Sequence, residues 1–221
     1  MSGFATARQK MVDGQVRTND VTDTRILEAM LAIPRELFVP ESRRALAYLD
    51  QDLDVSEGGP AKRYMIKPVV IAKLLQAAEI APTDKVLVVG SASGYAAALA
   101  SRLAAKVTAT ESDSALVDRG NKILSQLGCA NVALKQGAAS EGDPADAPYE
   151  VILINGATEI APERLFEQLA EGGRLVGIFA ASKPARATIV TKSHGDLGHR
   201  ALFDATAPVL PGMERVPSFI F

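Results

Sequence analysis

The sequence predicts an α/β protein with a mostly parallel, doubly wound sheet, a helical N-terminal extension and a β-rich C-terminal tail. Short apolar, β-branched runs alternate with helical patterns over residues 85–179. Residues 1–60 lack a good strand pattern, and strand patterns without helices between them follow Pro184. Regular alternation of strands and helices is typical of a parallel sheet whose two faces are covered by helices.

The N-terminal extension is predicted to be helical. Apolar residues recur at helical spacing over residues 22–33, where Asp20 or Thr22 is the expected N-cap and Pro34 ends the helix. The other elements expected in this part are a short helix over 41–48, an acidic loop over 50–63 and a third helix over 68–80.

In the core, the apolar runs predict strands and the stretches between them predict helices. The expected strands cover residues 86–89, 107–110, 132–135, 151–154 and 174–179, and the expected helices cover 95–105, 114–127 and 162–169.

The tail is predicted to be antiparallel. Residues 187–192 and 201–206 alternate as two strands joined by a polar turn, which indicates a hairpin. Residues 208–221 contain several turn-forming residues and end in an apolar segment, and we expect an antiparallel strand there at the edge of the sheet.

A glycine-containing turn follows the first core strand. Gly90 ends the apolar run, Gly94 precedes an alanine-rich helix, and Glu111 ends the next strand 21 residues after Gly90. Glycines let a backbone approach a ligand closely, and a carboxylate at a strand end accepts hydrogen bonds from ribose hydroxyls. The pattern predicts a site for a nucleoside-containing cofactor, although a tight turn without a ligand has the same residues.

Composition limits the partners, compartment and metal sites that can be expected of this protein. The chain has 221 residues, 48% of them hydrophobic, and a formal net charge of −2, which does not favour nucleic acid as a partner. Cys129 is the single cysteine, so a reducing compartment, the cytoplasm, is expected. We also expect neither a signal peptide nor a membrane span. His194 and His199 lack the further ligands of a metal site, so no metal is predicted.

Six segments carry a family resemblance. The N-terminal one is DTRILEAMLAIPRELFVPESRRALAYLD, with its Pro34-Arg35 and Phe38-Val39-Pro40, and VLVVGSASGY, VTATESD, LGCANV, APYEVILINGA and LAEGGRLVGIF follow in order. In these segments, over nearly its whole length, the chain resembles the protein-L-isoaspartate O-methyltransferase family. The N-terminal segment is the discriminating one, because many nucleotide-binding folds share the glycine turn.

The resemblance implies a Rossmann-like, class I methyltransferase fold with seven strands and S-adenosyl-L-methionine as cofactor. It implies methylation of the carboxylate of isoaspartyl residues in damaged proteins or peptides, by a monomer or weak homodimer. Residues 1–68 would form the extension and substrate-side loop, and 69–221 the methyltransferase domain. The implied cofactor residues are Gly90, Ser91, Ala92, Gly94, Glu111, Ser112, Gly137, Ala138 and Asn155, and the implied substrate-loop residues, at catalytic positions, are Tyr64, Ile66 and Lys67.

The chain departs from the family pattern at ligand-contact positions. Val88 stands where the cofactor loop has an acid, and Ala92 stands where it has a second glycine. Ala138 replaces an acid that contacts adenine, and Ile66 replaces a hydroxyl residue in the substrate loop. Arg63, together with Lys67, could instead pair with an anionic substrate.

These departures leave alternatives open. The chain could be a family member that has lost repair activity and works as a binding or scaffold protein, or one that methylates another acceptor. A nicotinamide-dependent dehydrogenase is a more distant alternative, because the glycine turn permits it but the N-terminal segment has no place in such enzymes.

Overall fold

The computed structural model describes residues 3–56, 58 and 61–216. Within them the α-helices are α1 (Gly3–Met11), α2 (Thr24–Ala32), α3 (Pro68–Ala78), α4 (Tyr95–Ala100), α5 (Ser114–Gln126) and α6 (Glu163–Glu167). The strands are β1 (Leu53–Asp54), β2 (Tyr64–Met65), β3 (Lys85–Val89), β4 (Lys106–Glu111), β5 (Val132–Gln136), β6 (Tyr149–Thr158), β7 (Leu169–Phe179), β8 (Arg186–Ser193) and β9 (Asp196–Asp204).

A seven-stranded sheet in the order β5-β4-β3-β6-β7-β8-β9 forms the centre of the molecule. Strands β5, β4, β3, β6 and β7 run parallel, whereas β8 and β9 are antiparallel additions at one edge. The predicted α/β class with a mostly parallel sheet is confirmed, and the structure has the seven strands that the family resemblance implies.

The continuous apolar sequence of β3 follows from burial on both faces. Val86 and Val88 belong to one hydrophobic cluster, while Leu87 and Val89 belong to another, and all four are fully buried. Successive side chains of a strand point to opposite faces, so each face of the sheet needs its own apolar layer. The first cluster also contains Met30 of the N-terminal extension, and the predicted division at residue 68 stays a prediction.

Helix α2 is confirmed, but the predicted N-cap is wrong. Asp23, with an extended backbone (φ −66°, ψ 109°), accepts a hydrogen bond from the Arg25 N–H at 2.9 Å. Asp20 instead lies in the left-handed region (φ 63°), and the Thr22 N–H donates to Gln76. The cap is therefore the residue directly before the first helical one, as capping geometry requires.

Other boundaries differ from the expected ones. The helix expected over 41–48 is a 3₁₀ helix over Glu41–Leu46, and the one expected over 95–105 ends at Ala100, where the chain tightens into i→i+3 bonds such as Leu103 N–H to Ala100 O. The expected loop over 50–63 contains β1, which pairs with β2. Helix α1 lies in the extension that is predicted to be helical, but its sequence lacks the apolar periodicity that would have given its bounds.

The hairpin is confirmed, with its turn at His194-Gly195 and with β9 beginning at Asp196, earlier than expected. The expected antiparallel edge strand is wrong for the part of 208–221 that the structure describes. The edge belongs to β9, and Val209 instead makes a parallel bridge to Ala157 of β6. Residues 217–221, which include the apolar end, lie outside the described residues.

No helix within the described ranges combines the length and the apolar character that crossing a lipid bilayer demands.

Candidate functional site

Strands β3 and β4 end beside β6 at the edge of the sheet where the sequence predicts a ligand site. Gly90 follows β3, Glu111 is the last residue of β4, and Asn155 lies in β6. The Asn155 amide donates to the Gly90 carbonyl oxygen at 2.9 Å and is buried. In open α/β sheets, ligands bind outside the carboxyl ends of neighbouring parallel strands.

The turn after β3 has left-handed backbone at three positions. Gly90 has φ +66°, and Gly94, which precedes α4, has φ +98°. Ala92 also has a positive φ, +50°, which costs an L-residue with a Cβ roughly 1–2 kcal/mol. This conformation directs the Ala92 N–H to the Glu111 carboxylate, 2.7 Å away.

The Glu111 carboxylate is enclosed by donors from its own chain. Arg63 binds it in bidentate fashion, with Nε 2.9 Å from Oε1 and Nη2 2.8 Å from Oε2. Oε1 also accepts from the Asp113 N–H at 3.1 Å and from the Ser112 hydroxyl at 3.2 Å, and Oε2 accepts from Ala92. Five hydrogen bonds meet the roughly four lone-pair sites of a carboxylate, which leaves no acceptor site for another donor.

Both charges of this pair are buried. The side chains of Arg63 and Glu111 are 4% and 0% exposed. Burial raises the pKa of the Glu111 carboxyl, but the Arg63 hydrogen bonds and charge, with the N–H groups of Asp113 and Ala92, outweigh it and hold the pKa below its usual value. Glu111 is therefore a carboxylate at neutral pH and keeps Arg63 beside it.

Leu210 covers the glycines of the turn. A Cβ added to Gly90 would lie 2.6 Å from both Leu210 methyl carbons and 3.2 Å from Arg63 Nη2. A Cβ added to Gly156 would likewise lie 2.6 Å from Leu210 Cδ2 and 3.0 Å from the Pro208 carbonyl oxygen. The close approach that glycine permits is thus already made by side chains of this protein.

An S-adenosyl ligand does not fit this arrangement. A ribose diol would need acceptor sites on Glu111 that Arg63 occupies, and Leu210 fills the space over Gly90. Two buried hydroxyls in and next to these elements, those of Ser91 and Thr110, have no hydrogen-bond partner in the described parts of the chain.

Most of the predicted cofactor residues lie together. Gly90, Ser91, Ala92, Glu111 and Asn155 share the turn and the strand ends described above, and the roles predicted for them stay predictions. Of the others, the Gly137 N–H donates to the Glu111 carbonyl oxygen at 2.9 Å, Ser112 and Ala138 are exposed, and Gly94 lies at the start of α4.

The predicted substrate-loop residues point to different places. Ile66 is buried, and its carbonyl oxygen accepts from Arg35 Nη2 at 2.7 Å, while Tyr64 in β2 is half-buried. Lys67 lines a cavity of about 400 Å³ between α3 and the C-terminal end of β9, and Lys73 and Phe203 also line it. Any role of these three residues in substrate binding stays a prediction.

Sequence reasoning missed the two side chains that fill the site. Arg63 was expected to pair with an anionic substrate, but it pairs with Glu111, 48 residues away in sequence. Leu210 belongs to a turn-rich tail in which no motif set it apart. No local pattern identifies either contact, because both depend on which segments the fold brings together.

Comparisons with known proteins agree on one family. The family model described as Protein-L-isoaspartate(D-aspartate) O-methyltransferase (PCMT) matches residues 6–200. The chain is 39% identical over 193 residues to the protein-L-isoaspartate O-methyltransferase of Roseiflexus sp. (strain RS-1), covering 87% of this chain and 86% of that one. It is 39% identical over 204 residues to that of Koribacter versatilis (strain Ellin345), covering 92% and 90%.

Solved structures share the fold. A protein-L-isoaspartate O-methyltransferase superposes with a TM-score of 0.82 at 26% identity, covering 93% of this chain and 66% of that chain. A beta-aspartate methyltransferase (PCMT) structure from Plasmodium falciparum, in complex with S-adenosyl-L-homocysteine, has a TM-score of 0.76 at 18% identity, covering 95% and 99%. The second likeness concerns the fold alone.

Proposed function

Since this chain belongs to the protein-L-isoaspartate O-methyltransferase family, we propose that it transfers the methyl group of S-adenosylmethionine to the carboxylate of isoaspartyl residues in proteins. The family match over residues 6–200 is the observation that carries this proposal. The two relatives at 39% identity support it, because the match covers most of both lengths. Members of the family use S-adenosylmethionine as methyl donor.

The chemistry asks for positioning more than for acid–base groups. A carboxylate with a pKa near about 4 is ionised at neutral pH, so it is a nucleophile without a general base. The protein must align this carboxylate with the methyl group and exclude water. A fully buried strand-end acid, Glu111, beside a buried glycine turn supports the assignment of the ligand groove to this edge of the sheet.

The proposal extends to the setting of the reaction. We place the protein in the cytoplasm, because its single cysteine, Cys129, is free and buried, as in proteins of reducing compartments. We expect a monomer or weak homodimer that acts on isoaspartyl-containing proteins or peptides.

One observation favours a second candidate function. Arg63 and Leu210 occupy the groove, so the protein could be a family member that binds a partner without transferring a methyl group. This candidate predicts no methyl ester on any isoaspartyl substrate.

Methylation of a matched peptide pair tests the proposed function. The purified protein is incubated with methyl-tritiated S-adenosylmethionine and an isoaspartyl peptide, and the control is the same peptide with normal aspartate. We expect base-labile methyl ester on the isoaspartyl peptide alone, and its loss in Glu111→Ala.

The outcomes separate the candidates. Equal, background labelling of both peptides at high protein concentration would contradict isoaspartyl methylation. Retained calorimetric binding of S-adenosylhomocysteine would then point to another methyl acceptor, and no binding would favour the partner-binding function.

A further inference from the structure

Two side chains from distant segments meet over Gly90. Arg63 comes from the segment between β1 and β2, and Leu210 comes from the tail after β9. Both lie within contact distance of the position that a Cβ on Gly90 would take. The sequence predicts a carboxylate open to a ligand at this place, but the structure has an ion pair covered by an apolar side chain.

We infer that Arg63 and Leu210 form a plug in the cofactor groove, and that an S-adenosyl ligand binds only after both side chains leave. This inference rests on the proposed function, because it concerns the cofactor that the function requires. It makes Arg63 a competitor of the ligand for the Glu111 carboxylate.

Because the hydrogen-bond acceptor sites of the Glu111 carboxylate are all occupied, a ligand must displace a donor to bind it. Ala92 and Asp113 donate to this carboxylate through backbone N–H groups that belong to the fold, at 2.7 Å and 3.1 Å. Arg63 supplies both bonds of its fork from a side chain, which can rotate away without moving the backbone of the sheet. A ligand hydroxyl can reach Glu111 Oε2 only in place of Arg63, whereas at Oε1 it could replace either Arg63 or the Ser112 hydroxyl.

The hydrogen bonds that hold the two segments are separate from those that pair β3 with β4 and β6. The Arg63 backbone is held by its N–H to the Ser56 hydroxyl at 2.7 Å and by the Val55 N–H to its carbonyl oxygen at 2.8 Å. The buried Leu210 donates its N–H to the Ala157 carbonyl oxygen at 2.9 Å, and the Ala157 N–H donates to the Pro208 carbonyl oxygen at 2.9 Å. Opening therefore requires this part of the tail to shift along β6. These contacts lie outside the pairing of β3 with β4 and β6, which forms the base of the groove.

The plug sets the apparent affinity of the groove. When only a fraction of molecules is open, the measured dissociation constant exceeds the intrinsic one by the inverse of that fraction. A closed form favoured by about 1.4 kcal/mol weakens binding about tenfold. Removing either side chain should therefore strengthen ligand binding, whereas removing an ordinary ligand-binding residue weakens it.

Calorimetric titration with S-adenosylhomocysteine tests the plug. The variants are Arg63→Gln, Leu210→Ala and the double substitution, compared with the wild-type protein. The matched control is Arg186→Ala, which removes an exposed arginine from a pair with Asp204 at 3.0 Å, away from the groove.

We expect each single variant to bind S-adenosylhomocysteine at least about tenfold more tightly than the wild-type protein, the double variant more tightly still, and the control unchanged. If Arg63→Gln does not fold, Leu210→Ala carries the same comparison, because it leaves the ion pair in place. Variants that bind no tighter than the wild-type protein, or that do not bind at all, overturn the plug.

A measurement on the wild-type protein examines the ion pair without any ligand. The Arg63 Nε–H resonance should be protected from exchange with water, and this protection should disappear in Glu111→Gln and on saturation with S-adenosylhomocysteine. An Arg63 Nε–H that exchanges as fast as that of exposed Arg186 would contradict the inference.

Failure of the proposed function is recognised separately. If the variants bind the ligand more tightly but do not methylate the isoaspartyl peptide, the plug is supported and isoaspartate as the methyl acceptor is contradicted. If the wild-type protein methylates the peptide and binds the ligand as tightly as the variants do, the proposed function is supported and the plug is contradicted.

Discussion

Asp23 accepts from the Arg25 N–H at 2.9 Å and from the Arg25 guanidinium at 2.7 Å, so one carboxylate caps α2 and holds its first turn. Asp20 and Thr22 are similar in type and close in sequence, but neither has the capping position. Residue type narrows a cap to a few candidates, and backbone conformation selects one of them.

Asp23→Ala should lower the free energy of unfolding by about 1 kcal/mol, since it removes the acceptor for an orphan N–H at the helix start. Thr22→Ala is the control, because Thr22 is exposed and its hydroxyl lies 3.5 Å from Gln76, and we expect a change within about 0.5 kcal/mol. Urea denaturation measures both, and equal losses would show that Asp23 does not act as the cap.

The role of Glu111, like that of Asp23, depends on which groups the fold places around it. If either charge of the Arg63–Glu111 pair were buried without the other, its desolvation would cost roughly several kcal/mol. Together, with the N–H groups of Ala92 and Asp113, they satisfy each other in a site where the sequence alone predicts an open acid.

Among the elements, α5 packs unusually close to the turn after β3. A Cβ on Gly120 of α5 would lie 3.0 Å from the Ser93 carbonyl oxygen and even closer to Leu134. The missing side chain therefore lets the helix approach the turn and β5. A glycine within a helix is here a packing residue rather than a defect.

Gly120→Ala should lower the free energy of unfolding by about 1–3 kcal/mol, because overpacking exceeds the gain in helix propensity. Gly14 is the matched position, in a helical segment over Val12–Val16, where an added Cβ would meet nothing within 4 Å. Gly14→Ala should raise the free energy of unfolding by about 0.4–1 kcal/mol. Opposite signs in chemical denaturation support the packing argument, and a stabilised Gly120→Ala variant would refute it.

For the whole molecule, one hydrophobic cluster joins the N-terminal extension to the sheet. It contains Val12, Ile33 and Ile71 together with Val86 and Val107, all nearly or fully buried. The extension thus contributes to the same core as the sheet.

The stability of the molecule should depend on the charge of Glu111. Its pKa is below the usual value of 4.5 in the folded protein, so the stabilisation is fully present above that usual value. It is lost as the pH falls through the lower, folded-state pKa, because protonation breaks the pair with Arg63.

Urea denaturation between pH 7 and pH 3 checks this dependence against Glu111→Gln. At pH 7 the variant should be less stable by about 3–5 kcal/mol, because Arg63 is left buried without its counter-charge. Since Gln does not titrate, the difference between the two proteins should shrink in acid. A difference that stays constant over this range would mean that Glu111 does not contribute through its charge.

By itself, the sequence determined the α/β class, the order of the core strands along the chain, the glycine turn and the placement of Glu111 at a strand end. These features depend on local periodicity and on turn residues, whose physical effects act over a few positions. The tertiary structure decided which acid caps α2, where the tail packs, and that Arg63 and Leu210 fill the groove. Those contacts join segments far apart in the chain, and a buried ion pair or an apolar cover forms only when the fold brings its members within bonding distance.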